Sequence, residues 1–573
     1  MTDPQQVLTG RFQEAISAAW GPEHAQADPL IRPAQNPTFG DYQANVAMSL
    51  GKRLGRNPRQ VAAAVVEKLQ WLDLLAEAPS VAGPGFINLK LSANWLSQIA
   101  TSLAGDDRLG VERIATPQTV VIDYSHPNIA KEMHVGHLRS TIIGDALART
   151  LEFQGHRVIR QNHLGDWGTQ FGMLIEHLED LGAAGTATEI RDLNAFYQQA
   201  KKRFDSEPQF ADRARKRVVA LQSGDPGTLA QWKRLVSESM HHFNAAYARL
   251  NVTLSDGDVR GESYYNPMLQ EVVQILRDKG LAQLSEGAWC VFVPGHEDPL
   301  MVQKSDGGFG YPATDLAAIR FRVQSLGAER VIYVVDARQS SHLAKVFYTA
   351  RAARWLDDHH VAEHVKFGTI LGEDGKPFKT RTGDTVRLAE LLDEAEQRAL
   401  AIVREKSPDL AADEASEIAG IVGIGAVKYG DLSADRIKDY VFSWDRMLAM
   451  DGNTAPYLQY AYARIRSIFR KSGATPEPGV RITVEHDAER ALVLKLSQFP
   501  AVVRGVVDRL EPHHLCTWLY DLAATFSGFY ESCPVLKAQD DAQRRSRLAL
   551  CDLTARSLAA GLDLLGIRVI ERM

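Results

Sequence analysis

Residues 119–125, TVVIDYS, open on a run of apolar and β-branched positions with no polar face. That pattern predicts a strand buried on both sides, as in a parallel sheet. After a loop the period changes. Leu138, Ile142 and Ala146 fall on one helical stripe with Ile143, Leu147 and Leu151 beside it, which predicts a helix over about 136–154 with Gly155 placed to end it. RVIRQN (157–162), RVIYVVDA (330–337) and KFGTIL (366–371) are further strand candidates. Strand, loop, helix and strand in this order describe an α/β, doubly wound (Rossmann-type) parallel sheet. Between about 185 and 300 the pattern is helix-rich and reads as an insertion.

The flanks differ in texture. Leu8, Phe12, Ile16 and Ala19 mark one helix face, and VAAAVVEKLQWLDLL (61–75) predicts a second helix. FINLKLS (86–92) alternates, with Ile87, Leu89 and Leu91 on one side and Asn88, Lys90 and Ser92 on the other, which predicts a half-buried strand. GDDRLG (105–110) reads as a linker, and beyond about 390 the chain is helical to Met573. The expected organisation is a small N-terminal α+β domain (1–110), the doubly wound domain (111–388) and an all-α C-terminal domain (389–573). A chain of 573 residues suits such a division, since one hydrophobic core does not grow to that size.

Composition narrows the classes. Hydrophobic residues make up 45% and charged residues 24%, ordinary values for a globular protein. The first residues carry acids and glutamines without an apolar core, so no signal peptide is expected, and no window is long and apolar enough for a membrane span. The four cysteines are scattered without a C-x-x-C pair, which points away from disulfides and cysteine-bound zinc and toward the cytoplasm. A net charge of −6 means that any surface for a polyanion is local.

The densest chemistry lies in SHPNIAKEMHVGHLRSTIIGD (125–145), at the predicted strand-to-helix turn. Two histidines suggest zinc, but HVGH lacks the glutamate of a metal-binding H-E-x-x-H helix and its histidines are three apart, not four. At the carboxyl end of a parallel strand, a helix start offers unpaired N–H groups and a positive dipole end to phosphates. Gly136 admits a close backbone approach, His134 and His137 can donate to phosphate oxygens, and Lys131 adds a mobile cation.

With HLGDWGTQFG (163–172) following, and NPTFGDYQ, YPATD, YVVDARQSSH and PYLQYAYARIRS elsewhere, nearly the whole chain resembles the arginyl-tRNA synthetase family of class I aminoacyl-tRNA synthetases. The resemblance implies ATP-dependent attachment of L-arginine to its tRNA through arginyl-adenylate. ATP would come with Mg²⁺ and no zinc, and the chain would act as a monomer. It makes His134, Gly136 and His137 ATP-binding, with the two histidines stabilising the transition state.

A guanidinium is recognised by a fixed carboxylate that accepts two parallel N–H bonds, a geometry that rejects a lysine-like point charge. Asp123 and Asp315 are candidates from their positions alone, although either can instead cap a helix or turn. The resemblance places Asp123 and Asn128 at the amino-acid end, Tyr311 and Asp315 at the guanidinium, and Gln339 in the same pocket. On the RNA side, Leu458, Ala461, Ile465 and Ile468 form a seam in NTAPYLQYAYARIRSIFRK, leaving Arg464, Arg466, Arg470 and Lys471 outside it with Tyr460 and Tyr462 interleaved. Cations with aromatics suit single-stranded loops, and a solvated basic face suits the residues equally. In the family this domain binds the anticodon stem and loop, and Asn36, Phe39 and Gln43 correspond to contacts with the outer corner of tRNA.

One motif departs from the class. Where a second ATP motif normally supplies a lysine to the pyrophosphate, GKPFKTRTG (375–383) has Thr380, with Lys376, Lys379 and Arg381 shifted around it. The resemblance implies that Lys131 substitutes, with Lys379 an additional ATP-side candidate.

Overall fold

A computed structural model describes the chain except residues 1, 2, 35, 190, 191 and 380–385, and except the side chains of residues 37 and 183–189. Thr380 and Arg381 therefore lie outside the described residues.

The central sheet is parallel throughout, in the order Val361–His364, Arg330–Tyr333, Thr119–Asp123, Arg157–Gln161. Val120, Val121 and Ile122 are fully buried, which is why the TVVID run carries no polar face. Its two sides pack into different cores. Val120, Ile122 and Ile332 join the large core shared with the N- and C-terminal regions, whereas Val121, Val331 and Tyr333 face the helices Glu262–Asp278 and Tyr311–Gln324. The register sets Asp123 beside Gln161 and Tyr333, so three side chains end the sheet at one carboxyl edge.

KFGTIL does not supply the outer strand. That place belongs to Val361–His364, and only Ile370–Leu371 is extended, paired with Tyr440–Val441 in a separate two-stranded ribbon. The more polar VAEH pattern suits an edge strand with one exposed side, a weaker signal than the apolar run that follows it.

The helix Val135–Gln154 starts as expected and ends at Gly155, whose φ is 104°. Gly144 is its packing point: a Cβ there would sit 2.3 Å from the Tyr124 ring, so only glycine lets the helix lie on the end of the strand. The insertion is helical through Gln170–Glu189, Leu193–Ser206, Pro208–Gln222, Pro226–Arg249 and Glu262–Asp278, but then forms an antiparallel sheet of Ala282–Ser285, Ala288–Val291 and Leu300–Gln303. Its hairpin turns on Glu286 and Gly287, both at positive φ. A turn before an aromatic, β-branched run was the available signal for it.

In the N-terminal region the helices Pro4–Trp20 and Pro58–Lys68 flank a four-stranded antiparallel sheet whose Phe86–Leu89 strand pairs with Tyr42–Ala44. Ile87, Leu89 and Leu91 are buried as the alternation predicts. The helix expected to reach 75 stops at Lys68, because Leu74 and Leu75 enter the core from a turn bonded to the Leu91 segment rather than from a helical face. The supposed linker 105–110 is a tight clamp: Asp106 accepts from Arg108 and Gly110 N–H at 2.9 and 2.7 Å, and Arg108 lies over the Phe153 ring. The C-terminal region is helical, from Leu388–Lys406 and Ala412–Leu432 to Asp541–Leu564. A buried ion pair joins its Asp431 to Arg139, two residues after HVGH, at 3.1 Å. All four cysteines are buried and unbridged, and no helix among the described residues is long and apolar enough to cross a membrane.

Candidate functional site

HVGH occupies the turn from loop to helix at the carboxyl edge of the sheet. His134 is the N-cap of Val135–Gln154, and its Nδ1 accepts the Gly136 N–H at 3.0 Å. His137 Nδ1 in turn accepts the His134 N–H at 3.1 Å, and the two ring centroids are 4.0 Å apart. A nitrogen that accepts a backbone N–H carries no proton, so both neutral rings hold theirs on Nε2. Burial, and then the charge of Lys131, pulls the His134 imidazole below its ordinary value. His137 is pushed down to about 3, by burial first and by His134 and His126 after it. Two neutral donors therefore stand side by side at a helix N-terminus. Gly136 makes the arrangement possible, since a Cβ there would lie 2.7 Å from the His134 ring.

The loop before HVGH is strained. Ser125, His126 and Ala130 all have positive φ, at 82°, 55° and 60°. Such backbone persists only where surrounding contacts impose it. The contacts come largely from the insertion: Tyr247 OH meets Ser125 Oγ at 2.7 Å, Ser239 Oγ accepts the Ala130 N–H at 2.9 Å, and Asn194 Oδ1 accepts the Glu132 N–H at 3.3 Å. Lys131 Nζ rests over the Tyr197 ring, 4.5 Å from its centroid. On the other side the Met133–Val135 backbone pairs with Val386 and Leu388, so the exit of the second-motif loop is bound to the first motif. Lys379, at the entrance of that loop, is exposed.

Asp123 stands at the predicted strand end, but its carboxylate is engaged. Arg322 Nη2 donates to Oδ2 at 2.6 Å, and His126 Nε2 lies 2.9 Å from Oδ1. Burial alone would raise this carboxyl, and Arg322 followed by His126 outweighs it, holding the group well below the usual carboxylate range. Its place is to neutralise the fully buried Arg322 rather than to meet a ligand freely. Asn128 is exposed on the same loop.

The other acids form a second cluster. Asp315, just past the first turn of Tyr311–Gln324, receives His342 Nε2 at 2.6 Å. Tyr311 starts that helix and is 69% exposed. Glu262, which the sequence reading did not single out, starts the Glu262–Asp278 helix nearby. Its carboxyl is pushed up to about 8, by burial first and by Asp166 and Asp315 after it. Asp166, from HLGDWGTQFG, caps the same helix through the Ser263 N–H and hydroxyl at 2.8 and 2.6 Å. An acid in the first turn of a helix usually serves the helix dipole, so G-E-S by itself carried no distinguishing signal. Its burial, and then its position against two other carboxylates, separates it. Gln339 is exposed at the turn leading into Ser340–Ala352.

On the RNA-side helix, Ala455–Ser472, the seam residues Leu458, Ala461, Ile465 and Ile468 are buried as expected. Tyr460 is exposed, and Arg464 is exposed with its guanidinium over the Tyr530 ring at 4.9 Å. The rest is more occupied. Tyr462 is buried and donates to Glu571, Arg466 pairs with Glu571 and Asp552, and Arg470 donates to the Glu571 carbonyl. In the N-terminal region Phe39 is exposed, whereas Asn36 accepts from Thr38 and Gln43 donates to Asn88 at 2.8 Å. Asp41 is paired with Arg490 of the C-terminal region.

Three family descriptions match the chain: class I tRNA synthetases (R), catalytic domain, over 98–444; the DALR anticodon binding domain, over 458–573; and the arginyl tRNA synthetase N terminal domain, over 6–91. Arginine–tRNA ligase of Thermobifida fusca is 55% identical over 582 residues, covering 100% of each chain, and that of Cellvibrio japonicus is 55% identical over 577 residues, covering 99% of each. Among solved structures, arginyl-tRNA synthetase from Plasmodium falciparum superposes with a TM-score of 0.85 at 31% identity, over 99% of both chains. The Thermus thermophilus enzyme does so with 0.83 at 27%, over 100% of both.

Proposed function

Since this chain belongs to the arginyl-tRNA synthetase family, we propose a role for each of its site residues in the ATP-dependent attachment of L-arginine to tRNA. In the first step the arginine carboxylate attacks the α-phosphate of ATP and pyrophosphate leaves. In the second, a terminal ribose hydroxyl of tRNA takes the arginyl group and AMP leaves. The observation that carries the assignment is the pair of Nε2–H donors at the start of Val135–Gln154. They are aimed by backbone bonds rather than by flexible torsions, so they donate to phosphate oxygens as charge builds without a reorganisation cost. Lys131 supplies the cation for the departing pyrophosphate, with Lys379 the second candidate, and Mg²⁺ accompanies ATP. Positioning and charge stabilisation supply most of the rate.

At the amino-acid end Asn128 is the side chain on offer, with Asp123 acting through Arg322 and His126. Asp315 and Glu262 face the guanidinium, with Tyr311 and Gln339 at the rim. Arg464 and Tyr460 lead the contacts with the anticodon arm, supported by Arg466 and Arg470, and Phe39 with Asn36 and Gln43 faces the outer corner of tRNA. The corresponding domains are 1–110, 111–388 and 389–573, in a cytoplasmic monomer. The test is a charging assay in which each amino acid is offered with tRNA and ATP. Arginine alone is expected to be attached, and attachment of another amino acid would overturn the reading.

Glu262 makes arginine binding depend on pH. In the free protein its carboxyl sits at about 8, so it is largely protonated at neutral pH. A guanidinium against it favours the ionised form, lowers its pKa and expels the proton. Arginine affinity is therefore expected to rise by about tenfold from pH 7 to above pH 8, with a proton released on binding at pH 7. Titration calorimetry in two buffers of different ionisation enthalpy measures that proton. Glu262→Gln should abolish the release, and equal release from both proteins would remove Glu262 from the pocket.

A further inference from the structure

Lys131 is contacted from outside the nucleotide fold. Its ammonium lies over the face of Tyr197, 4.5 Å from the ring centroid, and Tyr197 belongs to the insertion helix Leu193–Ser206 rather than to the nucleotide fold. One turn earlier on that helix, Asn194 accepts the Glu132 N–H and lies 3.5 Å from the Glu132 carboxylate. Asn194 and Tyr197 thus grip consecutive residues of the signature loop from one helical face. Glu132 is also held by Arg387 at 3.3 Å, on the strand that pairs with HVGH. From this position the Lys131 charge reaches both imidazoles, contributing to the depression of each.

We infer that Tyr197 is a positioning residue for Lys131: its ring face holds the lysine ammonium within electrostatic reach of His134 and His137, ready to meet the pyrophosphate of ATP. This rests on the assignment of Lys131 as the cation for the leaving group. A lysine has four rotatable bonds, and an unrestrained one spends most of its time away from any single point. An aromatic face attracts the ammonium without neutralising it, whereas a carboxylate would pair with the charge and cancel its use to a phosphate. The ring is therefore suited to a cation that must be kept in place and later handed over. The insertion consequently contributes to adenylation from outside the Rossmann fold.

The experiment is ATP–pyrophosphate exchange with arginine and tRNA present, on full-length Tyr197→Leu, Tyr197→Phe, Lys131→Ala and Lys131→Ala/Tyr197→Leu. Tyr197→Leu is expected to lower kcat for exchange by about five- to tenfold and to raise the KM for pyrophosphate, with the KM for arginine unchanged. Tyr197→Phe keeps the aromatic face and should retain wild-type behaviour. In the Lys131→Ala background the leucine substitution should have no further effect, because the lysine it positions is gone. A thermal melt of each variant confirms folding, and Tyr197→Phe keeps the question answerable if Tyr197→Leu is unstable. If Lys131→Ala is impaired while Tyr197→Leu matches wild type, the inference fails and the lysine assignment stands. If Lys131→Ala is itself fully active, the lysine assignment fails and takes the inference with it. Equal losses in the leucine and phenylalanine variants, or additive losses in the double variant, would also overturn it.

Discussion

Replacing His134 or His137 by alanine is expected to lower adenylate formation by ~10²-fold or more, while arginine affinity stays close to that of the unaltered chain. Each change removes an Nε2–H that backbone bonds hold in place and that is proposed to meet the phosphates, and nothing at the acidic cluster is touched. His134→Ala also removes a helix cap, which costs about 1 kcal/mol of stability. His134→Asn separates the two effects, because asparagine still accepts the Gly136 N–H but is too short to replace the imidazole at the phosphates. Its melting temperature should return toward wild type while its rate stays low. The pH profile gives a further check. Burial holds both imidazoles below their ordinary values, and His137, at about 3, remains a neutral donor throughout the ordinary imidazole range. Protonating Nδ1 would set a donor against a backbone N–H and undo the turn. The rate should therefore show no loss attributable to the His137 ring as pH falls through 6.5. Pyrophosphate exchange measures all of this, and near-normal turnover in both alanine variants would end the assignment.

Asp315→Asn is expected to raise the KM for arginine by about thirtyfold or more, with that for ATP nearly unchanged. Asparagine keeps the size of the side chain and can still accept from His342, so the start of Tyr311–Gln324 should survive. What disappears is the charge facing the guanidinium. Removing one partner of a hydrogen-bonded charge pair costs about 2–5 kcal/mol, and each 1.4 kcal/mol is a factor of ten. Steady-state charging kinetics with each substrate varied in turn provides the measurement. An unchanged arginine constant would make Asp315 a structural partner of His342 and leave recognition to Glu262.

The parallel strand at 119–123, the helix at 135–154 and its glycine end were legible in the chain because each depends on local periodicity and one residue type at one place. So was HVGH as the turn into that helix, since it follows a buried strand and precedes the helical stripe. The outer strand was not legible: an edge strand needs little burial, so VAEH carries less pattern than the KFGTIL that follows it. Asp123 shows why a correct position is not a complete role. Its place at the strand end follows from the sequence, but Arg322, nearly two hundred residues on, takes up the charge. Arg466 and Arg470 likewise read as free cations until Glu571 arrives from the chain end. Glu262 is the converse case, an ordinary helix-start acid made unusual by burial first and by Asp166 and Asp315 after it. Periodicity and motif spacing are properties of neighbours in sequence, and these determined most of the elements and the resemblance to the family. Charge state and availability depend on what else is within a few ångströms. Those neighbours are brought in by long-range packing, so only the tertiary structure decided which acids are spent and which cation lies over Tyr197.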